Sequence, residues 1–151
     1  VLTQGFIAGY PMQDIKVTVY DGKSHPVDSK EVAFVAAGRK AMLDALAKAS
    51  PTLLEPIAKL TITAPTVTLG DIAGDLASRR GQVLNTVATS STSMEILATV
   101  PLAEMDGYAA RLNAMTQGAA VFTFEFYAYQ PAPMQKQQEL AAKYQRKDED
   151  D

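Results

Sequence analysis

The chain has 151 residues, 47% of them hydrophobic and 21% charged, with a formal net charge of -3. That is the make-up of an ordinary globular protein with room for one good core and part of another, and its acidic balance weighs against nucleic-acid binding by overall charge. Zero cysteines exclude a disulfide framework and any thiolate metal site and fit a reducing compartment, and no apolar run approaches the roughly 18 residues of a membrane helix.

Along the chain, Asp14 to Tyr20 alternates Ile15, Val17 and Val19 with Lys16 and Thr18, the period of a half-buried strand. Asp21-Gly22 and Pro26 mark a turn-rich loop. Asp28 followed by Glu31 predicts a helix N-cap with its capping-box partner. The helix is expected to reach about Ala49 and to bury Val35, Met42, Ala45 and Leu46. Lys40, Asp44 and Lys48 stand four apart on its other side, where they can pair in water. Ser50-Pro51 stops it.

From Pro56 the pattern is strand, helix, strand, strand, helix, strand. Ala58, Leu60 and Ile62 set the first strand. Thr68 and Asp71 can box the next helix, whose apolar stripe is Leu69, Ile72, Ala73 and Leu76, and Gly81 is placed to end it in the left-handed conformation. Strands near Gln82–Ala88 and Met94–Val100 flank the hairpin connection Ser90-Ser91-Thr92-Ser93. A second helix carries Met105, Tyr108, Leu112 and Met115 and ends at Gly118. Phe122, Phe124 and Phe126 then alternate on a last strand, where one face is expected in the core. Each helix follows a proline (Pro65, Pro101) and closes at a glycine. This weak internal repeat predicts an α+β fold: a ferredoxin-like split βαβ sandwich of a four-stranded antiparallel sheet and two helices. A partial βα segment precedes it. The expected division is 1–50, 51–130 and a polar tail 131–151, helical from about Gln135 to Arg146 and solvated at Asp148-Glu149-Asp150-Asp151.

Chemistry-bearing residues are sparse. His25 is the only histidine, so neither a histidine metal cluster nor a triad built on a second histidine exists. Asp71, Asp75, Glu104 and Asp106 have no nucleophile or base beside them; Asp71 reads as a cap, and Glu104 and Asp106 fall in a helix's first turn. Gly70 to Gly74 opens a helix without the Lys-Ser or Lys-Thr of a phosphate loop. An acylphosphatase would need an arginine in the first strand–helix loop, and Ala64-Pro65-Thr66-Val67-Thr68 has none. Arg79 and Arg80 either complement a helix dipole or contact phosphate. No catalytic and no metal-ligating set emerges.

Five segments in one order say more: Leu53-Leu54-Glu55-Pro56-Ile57, Gly70-Asp71-Ile72 with Gly74-Asp75-Leu76, Arg79-Arg80-Gly81, Val100-Pro101-Leu102-Ala103-Glu104-Met105 and Thr116-Gln117-Gly118. Together they resemble the last domain of the elongation factor G family of ribosomal translocases. Upstream, Asp14-Ile15-Lys16-Val17, Tyr20-Asp21-Gly22, His25, Val27-Asp28-Ser29 and Ala33-Phe34 resemble the second half of that family's penultimate domain. The likeness runs from about Gly9 to Tyr129. It implies a non-catalytic, cytoplasmic, ribosome-contacting module promoting tRNA–mRNA translocation, with GTP and Mg2+ held by a GTPase region not in this sequence. It also implies that Val1, whose following residues Leu2-Thr3-Gln4-Gly5 do not have the make-up of a signal peptide, starts partway through a domain, so the first 50 residues form an incomplete domain through which the fragment can self-associate.

By the same resemblance, the loop Asp21, Gly22, Lys23, Ser24, His25, Pro26, Val27 and Asp28 is the tip that contacts the tRNA–mRNA duplex in the decoding region. Arg79 and Arg80 are candidate rRNA contacts, and the ribosomal stalk base is expected as a partner besides the decoding region. Family members commonly carry a basic residue after the Thr-Gln-Gly turn, whereas Ala119-Ala120 follows here. An alternative within the family is a paralogue acting in ribosome recycling or rescue. An alternative of another class is a ferredoxin-like regulatory or small-ligand-binding domain, which fold alone does not exclude.

Overall fold

The structure, a computed structural model, describes residues 1–27 and 29–144. In chain order the elements are α1 (Glu31–Lys48), β1 (Leu54–Pro65), α2 (Leu69–Ser78), β2 (Gln82–Ala88), β3 (Ser93–Pro101), α3 (Tyr108–Thr116), β4 (Val121–Pro131) and α4 (Met134–Lys143). They form two compact units: Leu54–Pro131, and a unit discontinuous in sequence made of Val1–Leu53 with Ala132–Asp151. No helix among the described residues is long and apolar enough to cross a membrane.

The 54–131 unit is the α+β sandwich that the repeat predicts. Its four strands lie in the order β2-β3-β1-β4, every neighbouring pair antiparallel. Side chains two apart on a strand share a face. One face therefore collects Ala58, Leu60, Ile62 and Ala64 of β1 with Met94, Ile96, Ala98 and Val100 of β3. Ile72 and Leu76 of α2 and Tyr108 and Leu112 of α3 join them in a single buried cluster, so both helices cover that face. Each fully buried Leu or Ile contributes about 1.5–3 kcal/mol. Pro65 and Pro101, with φ of -60° and -58°, each lead into a 3-10 turn, Thr66–Thr68 and Leu102–Glu104.

Local chemistry departs from expectation at four places. Thr68 stands at the N-cap of α2 but makes no side-chain cap bond; its hydroxyl donates to Pro65 O instead (2.7 Å), so the Thr68–Asp71 box does not form. Met105 precedes the second helix, because the 3-10 turn takes up the start of that segment. The left-handed residue after α2 is Arg80 (φ 60°), not Gly81. Arg80 N–H donates to Ala77 O and Gly81 N–H to Leu76 O, the paired closing bonds of a helix C-terminus. Glycine at 81 answers crowding, since a Cβ there would lie 2.9 Å from Leu76 O and 3.1 Å from Thr99 O.

Finally, only Phe122 of the three phenylalanines joins the core, edge-on to Tyr108 at 5.1 Å, while Phe124 and Phe126 are 55% and 61% exposed. All three lie opposite the inward residues Ile62, Leu60 and Ala58. Nevertheless β4 is an edge strand of 11 residues, about 36 Å at 3.3 Å per residue, and α3 has 9, about 14 Å at 1.5 Å per residue. The helix is too short to cover the strand.

In the other unit, residues 14–20 are not a strand. Ile15, Val17 and Val19 are 38%, 56% and 86% exposed, and among the described residues no strand pairs with this segment, without which alternation alone forms no strand. α1 runs from Glu31 to Lys48 and buries only Leu46; its N-cap is Lys30, with no side-chain cap bond. The expected cap Asp28 lies outside the described residues. Met42 is half-buried, while Val35 and Ala45 are exposed, because among its described residues this unit contributes no strand to cover that face. Asp44 pairs with Lys48 at 2.6 Å. The tail does form a helix, α4, beyond which the acidic end Asp148–Asp151 lies outside the described residues.

Candidate functional site

The loop singled out by sequence is exposed at every residue from Asp21 to Val27. It opens on a local turn, with Gly22 N–H donating to Asp21 Oδ1 at 2.8 Å. It closes on a clasp: His25 N–H donates to Ser29 Oγ, and that hydroxyl donates back to His25 O, both at 2.6 Å. Val27 N–H points at His25 Nδ1 at 3.4 Å, which sets the ring over the turn. Helix α1 starting at Glu31 anchors the downstream end, and the strand expected to anchor the upstream end is absent. Beside the loop a shallow depression of about 210 Å³ is lined by Lys23, His25, Ser29, Ala33, Phe34 and Ala37. An ammonium, an imidazole and a hydroxyl thus border a small apolar floor and a ring. That set suits hydrogen bonding and stacking with a nucleotide more than bond-making chemistry.

Arg79 and Arg80, in the 54–131 unit, are both taken up by intramolecular partners. Arg79 Nε donates to Asp75 Oδ2 at 2.9 Å, its Nη1 to the carbonyls of Glu104 (2.6 Å) and Asp106 (3.0 Å), and its guanidinium lies 5.4 Å from the Tyr108 ring centre. Asp75 Oδ1 accepts from Arg111 Nε at 3.0 Å. Arg80 forks onto Glu55 (Nη1 2.7 Å, Nη2 2.9 Å) and also donates to Glu104. The hydrogen bonds to Glu55 and then Glu104 outweigh desolvation and raise the Arg80 pKa above the ordinary arginine range. The left-handed backbone at Arg80 aims this fork, at a cost of about 1 kcal/mol for a side-chain-bearing residue. Neither Glu55 nor Arg111 was visible in the sequence as a partner, being 25 and 36 residues from its mate. Among the described residues no group of three or more His, Cys, Asp or Glu is placed to hold a metal.

Under this cluster the Tyr108 hydroxyl is buried with no hydrogen-bond partner among the described residues. Burial, then the charge of Asp75, pushes its pKa up from 10.0 to about 12, with Arg79 opposing. A buried polar group without a partner costs roughly 1–3 kcal/mol. Tyr108→Phe is therefore expected to stabilise the protein by about 1 kcal/mol at neutral pH. Unfolded tyrosine sheds its proton near pH 10, before the folded one, so wild-type stability falls as pH rises from about 10 to about 12. The variant lacks this loss, so urea melts at pH 9 and pH 11.5 should show its advantage widening.

Comparison with known proteins then gives the context. Residues 1–50 match the family described as elongation factor G, domain IV, and residues 52–140 the family described as elongation factor G C-terminus. The crystal structure of a protein from Thermus thermophilus superimposes with a TM-score of 0.79 at 37% sequence identity, over 94% of this chain. The chain spans 21% of the length of that protein. With one family covering more than half of its length and a second meeting it at the junction, the chain belongs to the elongation factor G family.

Proposed function

We propose that the chain is the ribosome-contacting C-terminal module of a translational GTPase that promotes tRNA–mRNA translocation, and that it performs no catalysis itself. The observation that carries this reading is the 21–27 loop: fully exposed, closed by the Ser29 clasp just ahead of α1, and offering Lys23, Ser24 and His25 as donors. Loops displayed by a fixed scaffold are where binding residues concentrate, and these donors suit ribose and phosphate. The partner is ribosomal RNA and the tRNA–mRNA duplex of the decoding region, in the cytoplasm. GTP and Mg2+ belong to another region of the parent protein. Arg79 and Arg80 enter as internal clasps that hold the surface of this unit, because Nε and Nη1 of Arg79 and all three nitrogens of Arg80 bond within it. Ala119-Ala120, where family members commonly carry a basic residue, favours a second reading as a recycling or rescue paralogue.

In the full-length parent, His25→Ala is expected to slow single-round translocation by about tenfold, the equivalent of one lost contact of roughly 1.4 kcal/mol in the transition state. Intrinsic GTP hydrolysis and melting temperature should stay unchanged. Unchanged translocation with slower ribosome recycling would favour the second reading, and no change in either would remove the loop from function.

A further inference from the structure

Both covalent passages between the two units, at 53–54 and at 131–132, run side by side. The β1–β4 ladder ends at the pair Leu54 and Pro131. One step beyond, Ala132 N–H donates to Leu53 O at 2.9 Å. Leu53 and Ala132 are only 8% and 6% exposed, so their remaining backbone groups have little access to water and need partners. One side chain supplies both. Gln137, in the first turns of α4, accepts from Leu53 N–H through Oε1 (3.1 Å) and donates through Nε2 to Ala132 O (2.7 Å). Its carboxamide stands where the next peptide of a ladder would stand, with one acceptor and one donor correctly disposed.

We propose that Gln137 is a latch by which α4 closes this two-stranded ribbon, so that the two passages open and close together and docking of α4 controls their stiffness. Only a carboxamide meets both demands. A carboxylate keeps the acceptor but sets a charge against the Ala132 carbonyl, and a thioether keeps the length of the side chain but offers no donor. α4 contains no fully buried residue, so the latch adds to the half-buried Leu140 and Ala141 in holding the helix in place.

The test is amide hydrogen exchange by NMR on the whole chain, comparing wild type with Gln137→Met and Gln137→Glu. Methionine is about as good a helix former as glutamine, so α4 is retained when the latch is cut. In Gln137→Met the Leu53 amide is expected to exchange about tenfold faster or more, as local opening of the ribbon becomes easier. Gln137→Glu should show a smaller rise, because the acceptor survives. Amides of Leu60 and Ile96 should not change in either variant. Unchanged exchange at Leu53 would overturn the latch, as would an equal rise at Leu53, Leu60 and Ile96, which would mark general destabilisation. If neither variant folds, the side chain is a requirement of the whole fold and the proposal of a local latch fails.

Discussion

Leu60→Asp unfolds the 54–131 unit. Leu60 is completely buried, between Ala98 of β3 and Phe124 of β4 on the central strand, in the cluster that also contains Ile72 and Leu76. The exchange forfeits about 1.5–3 kcal/mol of apolar burial. It also places a carboxyl with no hydrogen-bond partner in the core, at roughly 2–7 kcal/mol. A single domain has only about 5–15 kcal/mol in total. Circular dichroism and proton–nitrogen NMR at 25 °C should show the loss of this unit, whereas Leu54→Asp, at a position 47% exposed, should leave it folded. A cooperative melt within a few degrees of wild type for Leu60→Asp would contradict the core described above.

Arg79→Ala carries the second largest effect. It removes three charge-assisted hydrogen bonds and a cation–π contact at once. Asp75, whose side chain is 9% exposed, keeps only Arg111. Hydrogen bonds to charged groups contribute about 1.5–3 kcal/mol each and do not add fully, so the expected loss is about 3–4 kcal/mol. At roughly 4–8 °C per kcal/mol for a domain of this size, the melting temperature should fall by about 15–25 °C. Arg111→Ala is the control: its side chain is 58% exposed, solvent screens the pair, and about 1 kcal/mol or less is expected. Similar losses for the two variants would show that Arg79 is not the centre of the cluster.

What the sequence revealed depended on whether a signal was local. The alternation of Ala58, Leu60 and Ile62, the helix stripe at Ile72 and Leu76, and the prolines before each helix all act within a few residues, and the fold follows them. The same alternation at Ile15, Val17 and Val19 led astray, because a strand exists only when another strand pairs with it, and pairing is set elsewhere in the chain. Phe124 and Phe126 failed for a related reason: their parity is correct, but cover depends on the length of α3. At 21–27 the sequence marked a turn-rich loop, which the structure shows as an exposed turn, and the structure adds the Ser29 clasp. The Arg80–Glu55 and Gln137 contacts left no trace in spacing, since they join side chains 25 and 84 residues from their partners.

The interrupted unit has a consequence for biogenesis. Residues 1–53 leave the ribosome first, yet the part of their unit that carries α4 follows only after 54–131 has emerged. At about 5–20 residues per second, the early segment waits on the order of several seconds, with Leu53, which is buried in the finished chain and bonded to Gln137 of α4, still lacking that partner. The later, contiguous unit can be complete before the earlier one closes. During that interval the nascent chain presents an unfinished segment 1–53, the form that chaperones and proteases recognise.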